Sequence, residues 1–213
     1  MRSLIALLLL TASAHAGNNE LTYGGTSRAL RTSSANAVTG DSLVGGELRY
    51  ARRLGHGFIP HLELWTHGTF AWGTADGTMF QTLGTDLDAL TLALGAQVRY
   101  DLHHRITASA RLDLGTTRAA LVISDDMGHT ARDHGWGATT AATLGLDFYA
   151  FHGARYALAL RFELGAVATS SIPLTATPDT ASEDTLQLEM TAASLGSLNL
   201  SGPVIAASLV GQF

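Results

Sequence analysis

Charged residues recur in this 213-residue chain two positions apart: Glu47 with Arg49, His61 with Glu63, Arg99 with Asp101, Arg111 with Asp113, and Arg161 with Glu163, while Asp147 stands alone. Carboxylates gathered near a histidine can serve as general acids and bases or as ligands for hard cations. Carboxylates mixed with arginines form charge-assisted ion pairs instead. The spacing says what must carry them, because residues i and i+2 share a face only on an extended strand. A second set lies close together in sequence: Asp125-Asp126-Met127-Gly128-His129-Thr130-Ala131-Arg132-Asp133-His134, with an Asp pair and an Asp-His pair. Such groups can activate a water or bind a divalent cation, but a solvated polar loop is the leading reading of them.

The positioning elements are legible at Leu90–Leu102. The even positions are Leu90, Leu92, Leu94, Ala96, Val98, Tyr100 and Leu102; the odd ones are Thr91, Ala93, Gly95, Gln97, Arg99 and Asp101. Period two predicts a strand with one apolar and one polar face. The polar face holds small residues and full charges, which a packed soluble core rejects. The pattern fits a strand whose apolar side meets lipid and whose polar side lines a barrel interior.

Composition narrows the class. Cys is absent, which removes disulfides, thiol nucleophiles and thiolate metal sites. All 13 basic residues are Arg and the net charge is −5, so no basic surface for nucleic acid is visible. Gly is frequent (23) and Pro scarce (4), as small interior side chains and unbroken strands require. Arg2, the apolar run Leu4–Leu10 and Ala14-His15-Ala16 predict a secretory signal over residues 1–16, leaving 17–213 as a single domain. No later apolar run is long enough for a spanning helix, so a membrane-embedded chain must close as a barrel.

Tight connections at Leu54–Gly57, His103-His104 and His152–Ala154 fall about 49 residues apart. Longer polar segments separate them: 29–42, 74–88, 125–136 and about 170–197. The expected strands are 20–28, 43–54, 58–72, 89–102, 105–124, 137–151, 155–169 and 199–213, eight in all. Leu186–Met190 could extend a strand over the mouth. Outward go Val44, Leu48, Tyr50, Phe58, Leu62, Leu64, Leu112, Leu114, Leu144, Leu146, Phe148, Leu158, Leu160 and Phe162. Inward go Glu47, Arg49, His61, Glu63, Arg99, Asp101, Arg111, Asp113, Asp147, Arg161 and Glu163. Tyr50, Phe58, Tyr100, Phe148 and Tyr156 would form an aromatic girdle near the short turns, with Phe70, Trp72 and Trp136 at the opposite rim.

Phe213 closes a final alternating run through Ile205, Ala207 and Leu209. With that ending the chain resembles the small eight-stranded bacterial outer-membrane β-barrels of the OmpA/OmpX and OmpW type. Gly211 stands where that family often has a second aromatic. The resemblance implies a closed antiparallel up-and-down barrel, exported through the periplasm. It also implies that Phe213 is read by the barrel-assembly machinery. The implied surroundings are outer-membrane lipid and lipopolysaccharide around a monomer that needs no cofactor or metal.

The inward charges read as a plug, since eight strands leave an interior that side chains fill and buried ions must pair. The leading function is therefore a non-enzymatic barrel with a structural or surface-interaction role. The rivals are a narrow channel for small or apolar solutes and a lipid-modifying enzyme. Outer-membrane deacylases pair His with Ser two residues on; here His67-Gly68-Thr69 has that spacing with the wrong hydroxyl, on the inward face. Omptin-type proteases take Asp pairs and Asp-His pairs from opposing loops, whereas both pairs here lie on one. A soluble lipocalin-like barrel would need an apolar interior. His56, His103, His104 and His152 near the short turns read as wet turn residues, with pH sensing as the alternative.

Overall fold

A computed structural model describes residues 17–56, 59–79, 83–125, 127, 130–153, 156–178 and 193–213. The expected signal segment 1–16, Phe58, Asp126, His129 and Leu186–Met190 lie outside the described residues. The strands are β1 (Asn19–Ala29), β2 (Ser42–His56), β3 (Leu62–Met79), β4 (Leu83–His103), β5 (Ile106–Ser124), β6 (Thr130–His152), β7 (Ala157–Thr169), β8 (Ile172–Pro178), β9 (Ala193–Leu198) and β10 (Gly202–Gln212). One helical turn, α1 (Ser33–Asn36), is capped by Thr32, whose side chain accepts from the Ala35 N–H.

Eight strands close a ring. β1 to β7 pair antiparallel with their sequence neighbours, and β10 lies between β7 and β1. No edge is left in the ring, as a lipid-embedded sheet demands. The alternation sets the facing. Leu92, Leu94, Leu112, Leu114, Leu144, Leu158 and Phe162 are exposed on the outside, and Arg49, Gln97, Arg99, Arg111, Asp147 and Arg161 are buried within. Tyr50, Tyr100, Phe148 and Tyr156 sit outward near the tight turns, and Phe70, Trp72 and Trp136 outward toward the other rim.

The ring is uneven. β3, β4 and β6 run 18, 21 and 23 residues, against 11 each for β1 and β10. About 9–11 residues cross a bilayer, so the β3–β6 wall stands well above it. Two expected loops are corrected here. Most of 74–88 is strand, paired from Thr74↔Asp88 to Met79↔Leu83, and 130–136 belongs to β6. The pattern changes phase at Ala89/Leu90. Below that point the outward residues are apolar; above it, Asp86 and Asp88 point out while Leu87 and Ala89 are buried inside. Water has replaced lipid outside, and an apolar core has replaced ions inside.

That core is a lid. Leu30 and Ala35 from the β1–β2 connection, Ile172 and Leu174 of β8, Leu198 of β9 and the following Leu200 pack on Leu43, Ala75, Leu87, Ala89, Ala119 and Leu121 of the wall. The expected loop 170–197 thus contains a hairpin, β8–β9, joined to the tall wall by Ala131↔Pro178 and Arg132↔Thr177. The Thr32 hydroxyl donates to the Asn199 carbonyl at 2.5 Å, and the Arg31 N–H to the Ser201 carbonyl at 3.3 Å, tying the two halves of the lid together.

Candidate functional site

The inward faces bring ionisable side chains from seven ring strands into two layers. Nearer the tight turns, Arg161 (β7) grips Asp147 (β6) through Nε at 2.5 Å and Nη2 at 2.8 Å, and reaches Glu20 (β1) at 2.8 Å. Arg99 (β4) approaches the same acids from the facing side, pairing with Asp147 at 2.6 Å and with Glu20. It also donates to the Tyr149 hydroxyl at 2.6 Å and lies 5.1 Å from the Trp65 ring centroid.

In the next layer Arg49 (β2) pairs with Glu163 (β7) at 2.6 Å and with Glu47 on its own strand. Arg111 (β5) meets Asp113 at 3.1 Å, Glu47 at 3.3 Å and the Thr143 hydroxyl at 3.0 Å. His67 (β3) contacts Asp113 at 2.5 Å. Gly95 makes room for that contact, since a Cβ there would come within 2.5 Å of His67 Nε2. Each of these carboxylates, Glu20, Glu47, Asp113, Asp147 and Glu163, has at least one guanidinium partner. Arg99–Glu20, Arg49–Glu163 and Arg111–Glu47 each join strands three steps apart in a ring of eight, so they brace the lumen across its width.

Eight of the expected inward residues form these layers: Glu47, Arg49, Arg99, Arg111, Asp113, Asp147, Arg161 and Glu163. Glu63 points inward but stands apart at the tight-turn end, half-buried, paired with Arg53 at 2.8 Å and accepting from Trp65 Nε1 at 3.0 Å. His61 and Asp101 are corrections. His61 is an exposed turn residue with φ of 65°, just before β3 begins, so strand parity does not apply to it. Asp101 lies below the two charged layers at the end of β4, exposed and accepting from the Thr107 hydroxyl at 2.6 Å. Glu20 and His67 were not placed in the charge set from sequence. Glu20 opens the expected strand 20–28, where no charge two residues away marks the inward face; β1 begins at Asn19 and turns Glu20 inward. His67 has the right parity, but its partner is two strands away.

Asp126 and His129 of the 125–134 segment lie outside the described residues; among the described ones Asp133 and His134 do not share a face. Asp133 and His134 are consecutive on β6 and alternate between faces; His134 is exposed, and its N–H donates to Asp133 Oδ1 at 2.6 Å. Asp125 Oδ1 accepts from the Met127 N–H at 2.9 Å. Among the described residues no cluster of three or more His, Asp or Glu is arranged to hold a metal.

Between the ion-paired layers and the lid lies a cavity of about 70 Å³. Glu47, Arg111 and Asp113 line its floor, Thr26, Thr69, Thr91 and Thr139 its sides, and Arg28 and Leu43 its upper part. Thr91, Thr117 and Thr139 are linked by hydroxyl hydrogen bonds of 2.8 and 2.7 Å.

A closed eight-stranded antiparallel ring, apolar outside and ion-paired within, defines a small bacterial outer-membrane β-barrel. No protein-family model matches the sequence, and no curated protein matches it. Among solved structures the chain is similar to Ail, the attachment invasion locus protein of Yersinia pestis. Identity is 14%, covering 93% of this chain and 98% of Ail, with a TM-score of 0.45. The structure of Ail in complex with the heparin analogue sucrose octasulfate gives 12% identity over the same shares, with the same TM-score of 0.45. The translocator domain of the autotransporter NalP from Neisseria meningitidis is similar at 9% identity, over 100% of this chain and 94% of that one, with a TM-score of 0.45. Likeness at this level concerns overall shape alone; the barrel class stands on the register, the facing and the interior ion pairs.

Proposed function

We propose that this protein is a non-conducting outer-membrane barrel, plugged by its own side chains, with a structural or surface-interaction role rather than a catalytic one. The observation that carries this reading is the cross-lumen bracing. Arg99–Glu20, Arg49–Glu163 and Arg111–Glu47 span the ring, and the apolar lid covers its other end. Guanidinium and carboxylate groups satisfied by one another leave no polar path for ions. The same engagement argues against catalysis, because no carboxylate in the network is free to accept a substrate proton. In this reading the barrel is a monomer folded through the barrel-assembly machinery with Phe213 as its signal. Lipid and lipopolysaccharide surround it, and its outer wall and lid are displayed to the exterior.

Planar-bilayer recording of the purified barrel tests the proposal. No stepwise conductance is expected at moderate voltage. A stable open level whose ion selectivity shifts on Glu47→Gln or Asp113→Asn would replace the plug with a narrow channel.

A further inference from the structure

We propose that the cavity between the ion-paired layers and the lid is a binding site for a small anion, chloride- to formate-sized, held through Arg28. This goes beyond the closed-lumen reading and rests on it, since the ion-paired layers are the floor of the site. Arg28 projects inward from the long-loop end of β1. Among the described residues every other arginine on the inward faces has a carboxylate partner: Arg49, Arg53, Arg99, Arg111 and Arg161. Arg28 has none among the described residues. Its Nη1 donates to the Leu200 carbonyl at 3.3 Å, and its Nε is buried without a partner.

A guanidinium does not escape this position by losing its proton. An uncompensated charge in a low-dielectric enclosure is costly, so an anion beside it is favoured. The floor acids do not serve, because Glu47 is held by Arg49 and Arg111, and Asp113 by Arg111 and His67. A second unmet group faces the same space: Thr69 Oγ1 is buried with no partner and can donate to an anion. Size selects the ligand. One water needs about 10–15 Å³ on the same measure, so a cavity of about 70 Å³ suits an ion of a few atoms with its waters better than a bulky sugar acid.

The test uses the intact barrel purified in detergent. Thermal unfolding is followed at constant ionic strength in sodium chloride, sodium formate or sodium gluconate. Chloride and formate should raise the midpoint by a few degrees over gluconate, in a saturable way. Arg28→Gln should remove that increment, and Arg53→Gln, at the opposite end, should keep it. If Arg28→Gln does not fold, Ala71→Leu fills the cavity while leaving Arg28 in place, and should also remove it. Bromide soaked into crystals should scatter anomalously beside Arg28. An anion effect that persists in Arg28→Gln or Ala71→Leu, its absence from the unaltered protein, or bromide at surface sites only would overturn the proposal. Failure of the closed-lumen reading has a separate signature, open-channel conductance, which anion binding does not produce.

Discussion

Replacing Arg161 and Arg99 by Met, singly and together, measures how firmly the lumen is braced. The two arginines share two acids, Glu20 and Asp147, and none of the four side chains is more than 2% exposed. Methionine keeps an apolar stem of similar reach, so the perturbation is mostly loss of charge. Removing one partner of a buried ion pair costs about 3–5 kcal/mol. In either single variant the remaining arginine still touches both acids, which places the loss near the lower end, about 3 kcal/mol. A domain of this length loses roughly 2–4 °C of midpoint per kcal/mol, so each single change should lower it by roughly 6–12 °C. The double variant leaves Glu20 and Asp147 with no cation, so its loss should exceed the sum of the singles by about 0.5–3 kcal/mol. Adding Glu20→Gln and Asp147→Asn should then recover much of the deficit. Urea unfolding in phospholipid vesicles gives these values, with Trp65 beside Arg99 as a fluorescent reporter. Single losses below about 1 kcal/mol and an additive double would refute the reasoning, because they describe acids that water already solvates.

Three further outcomes follow from the facing and the lid. Leu94 is 74% exposed toward lipid, and Leu94→Arg should cost about 2–4 kcal/mol by urea unfolding in vesicles. Gly95→Val should sharply reduce the heat-modifiable folded band on gels, because its Cβ collides with His67 and with the β5 backbone at Leu112. Leu198→Asp puts a charge into the apolar seam of the lid. Limited proteolysis should then cut within 170–200 while the barrel itself keeps its gel shift.

Much of the fold was legible because lipid and lumen impose opposite demands on alternate residues. Leu92 and Leu94 against Gln97 and Arg99 reveal both the strand and its facing. The signal fails where the solvent changes. At Thr85–Ala89 the outer face meets water and the inner face meets the lid, so polar and apolar positions exchange parity, and a strand reads as a polar loop. The charge network was half legible. Parity places Arg111 and Asp113 inside, but partner choice depends on ring geometry. Arg99 binds Glu20 three strands away rather than a neighbour on β5. Parity also misleads at its ends: His61 belongs to a turn, and Asp101 lies where the interior opens to water.

The network depends on closure, and closure explains its composition. Glu20 sits on β1 opposite Gln212 of β10, at the seam where the first and last ring strands meet. Arg161 on β7 and Arg99 on β4 both converge on Glu20, so an unclosed sheet leaves two guanidiniums with Asp147 as their one shared carboxylate. Register is checked by the same contacts. A one-residue slip of β1 against β2 would turn Glu20 toward lipid and Leu21 toward the ions. An apolar interior would tolerate such a slip at the cost of packing alone. An ionic interior makes each misregistered pair an unpaired charge in a low-dielectric space, a much larger difference between the correct ring and its neighbours. Buried ion pairs add little net stability over a well-packed apolar interior, so the difference they make is greatest between the correct register and a slipped one.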